Sequence, residues 1–169
     1  GFLRVDLDLA SELGDRRGEA MVRTNLAECY LAQRRIEDAC REAESAVRIS
    51  RELSDTAAEG FALTALANAL KESGQRRLAR ETTEAAEERF RSAGLVSGVA
   101  HARLARARTL LEDGDAPLAA RCAVGAARAA RAGGVADVEV EALLDVYRAL
   151  GAAGDRYRAE RFLGRARHV

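Results

Sequence analysis

The sequence predicts an all-α protein, and three observations lead to that class. Hydrophobic residues make up 48% of the 169 residues and charged residues 32%, so the chain can form a core and is not a disordered tail. Alanine, leucine, arginine and glutamate, which are strong helix formers, dominate, whereas aromatic residues make up 4%. Small residues and turn residues recur every 40 positions. Together these features predict a stack of repeated helical hairpins.

Two sets of turn residues define the 40-residue repeat. One set, three glycines and an arginine, lies at Arg34, Gly74, Gly114 and Gly154. The other set lies at Gly14, Ser54, Gly94 and Gly134. Segments long enough for one helix separate neighbouring turns, so each repeat holds two helices. We therefore predict repeats at about residues 15–54, 55–94, 95–134 and 135–169.

The segment before the first repeat matches the second half of a repeat's second helix. Within residues 1–13, Leu7 and Leu9 align with Val47 and Ile49. The array is thus entered in the middle of a repeat, and its first residue is glycine rather than methionine. We expect this chain to be a stretch of a longer protein.

The first helix of each predicted repeat carries large and small residues at helical spacing, which indicates a buried face. This stripe consists of Leu26, Ala27 and Tyr30, then Leu66, Ala67 and Leu70, then Arg106, Ala107 and Leu110, then Val146, Tyr147 and Leu150. Because arginine replaces an apolar residue in the third copy, we expect Leu104, Ala107 and Leu111 to shift the buried face there.

The second helix of each predicted repeat carries two alanines seven residues apart. These pairs are Ala39/Ala46, Ala79/Ala86, Ala119/Ala126 and Ala159/Ala166. Small residues let a neighbouring helix approach closely, so the pairs should mark the tight contact within each hairpin. In the third repeat, Asp115 is a predicted N-cap and Pro117 lies in the first helical turn, where its missing N–H costs nothing.

The stripe NLAECY and the segment DACREAESA that follows it resemble the tetratricopeptide repeat (TPR) family, and the resemblance covers residues 15–169. It implies a right-handed α-solenoid of about four helical hairpins, whose first helices line a concave groove. The 40-residue unit is longer than the common form of about 34 residues. In this it is similar to the repeats of kinesin-light-chain-like proteins and bacterial regulators.

The resemblance also implies a set of groove residues on the four first helices. They are Met21, Thr24, Asn25 and Glu28, then Phe61, Thr64, Asn68 and Lys71, then His101, Leu104 and Arg108, then Glu141, Asp145 and Arg148. Asparagine side chains can bond both the N–H and the C=O of an extended peptide. Arg108 and Arg148 can hold a carboxylate through paired N–H donors. The alternative is that these are solvated polar residues on a helix face.

The preferred function is the binding of a peptide or partner domain, or the sensing of an effector, in this groove. The low-lysine, high-arginine and high-alanine composition is similar to that of actinobacterial multidomain transcriptional regulators. The resemblance therefore implies a fragment of such a regulator, with other domains of its own chain among the candidate partners. A structural scaffold without a groove ligand, able to form a homodimer through the solenoid ends, stays open as an alternative.

Charge is uneven along the chain, although 27 basic residues balance 27 acidic ones. Residues 1–60 hold 9 basic and 13 acidic residues, whereas residues 101–169 hold 12 and 9. The predicted second helices of the third and fourth repeats carry Arg121, Arg128, Arg131, Arg156, Arg158, Arg161, Arg165 and Arg167. This run is either a basic ridge for nucleic acid or an acidic partner, or a solvated outer face. The solvated face is favoured, because Tyr157 and Phe162 lie at core-like spacing and leave no aromatic residue to stack on bases.

Patterns of catalytic or metal-ligating residues are poor. His101 and His168 are 67 residues apart, and Cys29, Cys40 and Cys122 form no CxxC pair. The cysteines are predicted to be small buried or half-buried fillers in a reducing cytoplasm. No apolar run approaches the roughly 18 to 20 residues of a membrane helix. We therefore expect no enzymatic activity, cofactor, metal, membrane partner or direct contact with nucleic acid.

Overall fold

The computed structural model describes residues 2–169, and these form nine α-helices and no strand. The helices are α1 (Phe2–Glu12), α2 (Arg16–Ala32), α3 (Ile36–Glu52), α4 (Thr56–Glu72), α5 (Arg76–Ser92), α6 (Val96–Glu112), α7 (Ala116–Ala132), α8 (Ala136–Ala152) and α9 (Arg156–Ala166). The chain divides into two compact units. Unit 1 ends at Ala93 and contains α1 to α5, and unit 2 (Gly94–Val169) contains α6 to α9. The all-α prediction is confirmed.

Three residues join each helix to the next, and the middle residue always has a positive φ. The turn before α7 shows the pattern: Gly114 has a φ of 85°, and the Asp115 N–H donates to the Leu110 carbonyl at 2.9 Å. The Asp115 side chain then accepts from the Leu118 N–H at 3.2 Å and caps α7, which confirms the predicted helix start at Pro117. Arg34 and Ser54 adopt the same conformation without being glycine, at φ values of 60° and 53°.

Each unit has a layer of first helices and a set of second helices that lie on it. Within the described part of unit 1, the first helices α2 and α4 contact each other, whereas the second helices α3 and α5 do not. Unit 2 repeats this arrangement, because α6 contacts α8 while α7 and α9 are apart. Both α4 and α8 contact the second helix on either side of them. Each unit therefore has a groove between two second helices, with a first helix at its floor.

Alanine allows the close helix contacts within each unit. Ala27, Ala43 and Ala65 form a fully buried cluster where α2, α3 and α4 meet. The predicted alanine pairs on the second helices are also buried, except that Ala166 is half-buried. The pairs on α3, α5 and α7 are thus buried, which is consistent with the close helix approach predicted at these positions.

The apolar stripes of the first helices are mostly buried, as predicted, although Leu66, Tyr147 and Leu150 are half-buried. Arg106 is half-buried, and Leu104, Ala107 and Leu110 form the buried face around it. Leu9 is 52% exposed, although it aligns with the fully buried Ile49. The reason is that α3 packs against both α2 and α4, whereas α1 contacts α2 alone among the described helices.

One glycine in unit 1 makes room for a large aromatic residue. A Cβ atom on Gly60 of α4 would lie 2.7 Å from Cε1 of Phe90, whose ring is buried in α5. At the corresponding positions 40 residues on, in unit 2, alanine replaces both residues, at Ala100 and Ala130. Gly60 and Phe90 therefore form a size-matched pair that unit 2 lacks.

Buried glutamates in the first turns of α2, α4 and α8 pair with arginines. Arg51 Nε donates to Glu59 Oε1 at 2.7 Å, and Arg131 forms an ion pair with Glu139 at 2.5 Å. Burial opposes the ionisation of Glu19, but hydrogen bonds from Arg23 and Arg16 outweigh it and lower the pKa of this carboxyl. These pairs join the end of a second helix to the next first helix in two of the three cases.

Candidate functional site

In unit 1, the predicted binding residues of α2 lie on an exposed stripe. Met21, Asn25 and Glu28 are all exposed and follow one another at helical spacing. Thr24 is half-buried, and its hydroxyl donates to the Ala20 carbonyl of its own helix at 3.0 Å. This stripe of α2 therefore offers a ligand one thioether, one amide and one carboxylate.

The equivalent stripe of α4 combines an aromatic ring with an amide. Phe61 is 54% exposed, and its ring packs edge-on against Phe90, with centroids 5.0 Å apart and planes at 73°. Asn68 is exposed, and Lys71 is half-buried. The Thr64 hydroxyl donates to the Gly60 carbonyl at 2.9 Å, so it is already used within the helix. Because α2 and α4 are neighbours, the two stripes form one surface of unit 1.

The two asparagines of this surface are free to bind. Asn25 and Asn68 are exposed, and neither amide has a hydrogen-bond partner within residues 2–169. Each amide offers two donors and one acceptor. This arrangement can bond the backbone of an extended chain, while Met21 and Phe61 offer apolar contact beside it.

In unit 2, the predicted binding residues are bonded to one another. Arg108 of α6 reaches across to α8, where its Nε donates to Asp145 Oδ2 at 2.7 Å and its Nη2 donates to Glu141 Oε2 at 2.8 Å. Arg148 Nη1 donates to the other oxygen of Asp145 at 2.6 Å. Asp145 is only 3% exposed, so its carboxylate is held between two guanidinium groups. The carboxylate that Arg108 and Arg148 hold in this structure is therefore the chain's own.

The electrostatics of this network favour its charged form. Partial burial opposes the charge of Arg108 most strongly, but the hydrogen bonds to Asp145 and Glu141 outweigh it and raise the pKa of Arg108 above its ordinary value. An acidic ligand on this face would have to displace Asp145 or Glu141. The network joins α6 to α8, which is a structural role that sequence spacing did not reveal.

Two further predicted residues of unit 2 lie outside this network. His101 is exposed, and its Nδ1 lies 2.8 Å from the Ser97 carbonyl oxygen of the same helix. Leu104 is buried, so its placement among the groove residues is wrong. Thr24 and Thr64 occupy the same position in α2 and α4 and are half-buried, which indicates that this position borders the core.

The arginines of the late second helices are exposed, as a solvated or a binding face would require. Tyr157 is 77% exposed, so its predicted core position is wrong, whereas Phe162 is half-buried. The reason is that α9 contacts only α8 among the helices of unit 2, and Tyr157 lies on its uncovered side.

The remaining predictions about chemistry concern cysteine, metals and membranes. Cys29 is exposed, contrary to the expectation of a filler, whereas Cys40 and Cys122 are half-buried as expected. Burial raises the pKa of the Cys40 thiol. Among residues 2–169 there is no group of three or more histidine, cysteine or acidic side chains able to hold a metal ion. None of the described helices is both long and apolar enough to cross a membrane.

Solved structures share this fold over most of the chain. BtubC (BKLC) from P. vanneervenii matches with a TM-score of 0.79 and 20% identity, covering 98% of this chain and 77% of that protein. A putative kinesin light chain with nearly identical TPR-like repeats from Podospora anserina matches with a TM-score of 0.74 and 16% identity, covering 98% and 82%. Rap protein complexed with competence and sporulation factor matches with a TM-score of 0.79 and 17% identity, covering 88% and 41%.

No protein-family model and no curated protein matches this chain. The structural matches show the fold, which is that of TPR-like helical repeat proteins. The prediction of a TPR-like repeat is therefore confirmed at the level of fold.

Proposed function

We propose that this chain is a protein-interaction domain that binds an extended peptide or partner segment on the first-helix face of unit 1. The observation that carries the proposal is that Asn25 and Asn68, on neighbouring helices, are exposed and have no hydrogen-bond partner within residues 2–169. In unit 2 the corresponding face is closed by the ion pairs of Asp145. A ligand can therefore bind unit 1 without breaking an internal interaction.

The chemistry of this face fits a backbone ligand with an apolar side chain. Each amide can accept one backbone N–H and donate to one backbone carbonyl, and each such bond contributes about 0.5 to 1.5 kcal/mol. Met21 and Phe61 provide exposed apolar surface beside the amides. Glu28 is exposed at the edge of the same stripe and favours a basic residue in the ligand.

The wider role that we propose is that of a sensing arm in a larger transcriptional regulator. The fold supports a binding role, because Rap protein, a structural neighbour, was solved in complex with competence and sporulation factor. In a regulator of this kind, the ligand of unit 1 would be an effector or another domain of the same chain. Lys71 belongs to the proposed face of unit 1, whereas His101, Arg108, Glu141 and Arg148 lie on the first helices of unit 2 and are outside that face.

The test uses peptides selected from a random phage-displayed library against the immobilised protein. Their affinities are measured by fluorescence anisotropy for the wild type, for Asn25→Ala/Asn68→Ala and for Glu37→Ala, a control at an exposed position of α3. We expect the asparagine variant to bind about tenfold more weakly or worse, because 1.4 kcal/mol corresponds to a factor of about ten. The control should bind like the wild type. Unchanged affinity of the asparagine variant for every selected peptide would contradict the proposal.

A second candidate function is self-association, and the surface of α1 favours it. Phe2, Val5, Leu9 and Leu13 are all exposed and follow one another at helical spacing. The test is sedimentation velocity of the wild type and of Val5→Asp/Leu9→Asp. A dimer that dissociates in the variant would support self-association, and a wild type that stays monomeric at high concentration would exclude it.

A further inference from the structure

A groove between α7 and α9 of unit 2 combines an apolar floor with basic walls. It has a volume of about 620 Å³. Its apolar lining comes from all three helices around it, namely Val124 of α7, Val146 and Leu150 of α8, and Phe162 of α9. Val124, Leu150 and Phe162 are half-buried, so they are partly open to solvent in the space between α7 and α9, whereas Val146 is fully buried.

Arginines surround this floor, and several of them lack an acidic partner. Arg121, Arg128 and Arg158 line the groove itself, while Arg161 and Arg165 line adjoining pockets that share Phe162 with it. Within residues 2–169, no carboxylate pairs with Arg121, Arg128, Arg161 or Arg165. Arg165 lies over the ring of Phe162, 5.5 Å from its centroid.

Acidic residues near the groove neutralise little of this charge. Asp155 is the one carboxylate that lines the main groove within the described chain, and it contacts Arg158 at 3.4 Å. Glu139 lines an adjoining pocket and is already paired with Arg131. The surface therefore keeps an excess of positive charge around an apolar floor.

The corresponding groove of unit 1 provides an internal comparison. It lies between α3 and α5 over α4 and has a similar volume of about 670 Å³. The residues 80 positions earlier replace Val124 by Glu44, Arg161 by Glu81 and Arg165 by Ala85. Its arginines are paired, because Arg48 contacts Glu52 at 3.2 Å and Arg51 contacts Glu59 at 2.7 Å.

This comparison shows that the fold does not require the arginine cluster. A groove of the same kind is built in unit 1 with interspersed acidic residues, and like charges held close together oppose the folded state. An acidic ligand would remove that repulsion in unit 2. Guanidinium groups suit this role, because they bind carboxylates through a planar fork of donors.

We propose that the groove between α7 and α9 binds an acidic amphipathic helix of a protein partner. Apolar residues of that helix pack on the half-buried Val124, Leu150 and Phe162, while its carboxylates meet the arginines on both walls. The apolar floor distinguishes this ligand from a nucleic acid, whose phosphates would contact the walls and leave the floor uncovered. This site is separate from the first-helix face proposed above.

The test measures binding of a fluorescein-labelled 16-residue peptide with leucines at helical spacing and glutamates at the other positions. A peptide with glutamine in place of each glutamate and a single-stranded oligonucleotide serve as comparison probes. The variant Arg161→Glu/Arg165→Ala changes only exposed residues to those found in unit 1. We expect it to bind the acidic peptide at least about tenfold more weakly than the wild type, with an unchanged melting temperature.

The reciprocal change transfers the site. Thr82 stands where unit 2 has Phe162, so Glu44→Val/Glu81→Arg/Thr82→Phe/Ala85→Arg should give unit 1 a second peptide site, seen as a doubled stoichiometry in titration calorimetry. Asn25→Ala/Asn68→Ala should leave binding of the acidic peptide unchanged, which separates this proposal from the first-helix face. The proposal is overturned if the glutamine peptide binds equally well, if the arginine variant binds normally, if unit 1 gains no site, or if the oligonucleotide binds more tightly than the peptide.

Discussion

The first helices of the two units present polar residues on the same face, but these residues differ in their partners. In unit 1, Asn25 and Asn68 are exposed and unpartnered within the described chain. In unit 2, Arg108 and Arg148 hold the buried carboxylate of Asp145. A position that is available for a ligand in one repeat thus stabilises helix packing in another. In a repeat protein, the position of a residue within the repeat does not by itself decide whether that residue binds a ligand or stabilises helix packing.

The second helices show the reverse contrast. In unit 1 the arginines of the groove between α3 and α5 are paired with glutamates. In unit 2 the arginines at the groove between α7 and α9 mostly lack acidic partners in residues 2–169. Each unit therefore has one surface whose polar groups are paired with one another. Its other surface carries polar groups that mostly lack a partner within the described chain.

The largest expected effect concerns the aromatic pair that supports the open face of unit 1. Phe90→Ala should destabilise the protein by about 3 to 5 kcal/mol, because it leaves a cavity beneath Phe61 and beside Gly60. Gly60→Ala alone should cost about 1 to 3 kcal/mol by overpacking against the ring. Urea unfolding followed by circular dichroism measures both.

The two changes should be strongly coupled. In the Phe90→Ala background the clash is gone, so Gly60→Ala should become stabilising by up to about 1 kcal/mol through helix propensity. The matched control is unit 2, where Ala100→Gly should cost about 1 kcal/mol because Ala130 leaves no aromatic ring to accommodate. Additive effects of Gly60→Ala and Phe90→Ala would refute the size-matched pair.

The next effect concerns the closed face of unit 2. Asp145→Asn should destabilise the protein by about 1 to 3 kcal/mol, because a buried carboxylate that accepts from two arginines becomes neutral. The exposure of both arginines limits the loss, since they can be solvated when the charge is removed. Asn25→Asp, at the equivalent position of unit 1, should change stability by less than about 0.5 kcal/mol. Equal effects of the two substitutions would remove the contrast between the faces.

A smaller effect is expected for the pH dependence of stability that the Glu19 ion pairs of unit 1 produce. The pKa of Glu19 is lowered in the folded state, so its ion pairs add stability above the unfolded pKa of about 4.3. That contribution is lost as the pH falls through the folded pKa. We expect Glu19→Gln to lower the melting temperature at pH 7 and to approach the wild type as the pH falls below 4. A constant difference across this range would contradict the assignment.

Much of the fold could be predicted, because the 40-residue period places every turn and every helix. The period even assigned Arg34 and Ser54 to turns, although neither has the chemistry of a left-handed turn residue. Side-chain pairing across neighbouring helices could not be predicted in the same way. Whether Arg108 meets Asp145 or a ligand depends on the distance between α6 and α8, which sequence spacing does not give.

Errors at single residues have a related cause. The TPR resemblance places Leu104 in the groove, yet it is buried, as the expected shift of the buried face around Arg106 implies. Tyr157 was assigned to the core by helical spacing, yet α9 has only α8 against it in unit 2. In both cases, burial depends on which neighbours a helix has and not on its own periodicity. Charge alone indicates the arginine run and favours a solvated face, because the apolar floor of the groove comes from three separate helices.

The smallest effect concerns the turns that connect the helices. Ser54 has a φ of 53°, whereas the corresponding residue of unit 2 is Gly134, at 67°. A non-glycine residue in this region costs about 1 to 2 kcal/mol, part of which is offset by the greater freedom of glycine in the unfolded chain. Ser54→Gly should therefore stabilise the protein by about 0.5 to 1 kcal/mol, which raises the melting temperature by roughly 1 to 4 °C. Gly134→Ser should lower it by a similar amount, and a change in the same direction for both variants would show that the turns of the two units are not equivalent.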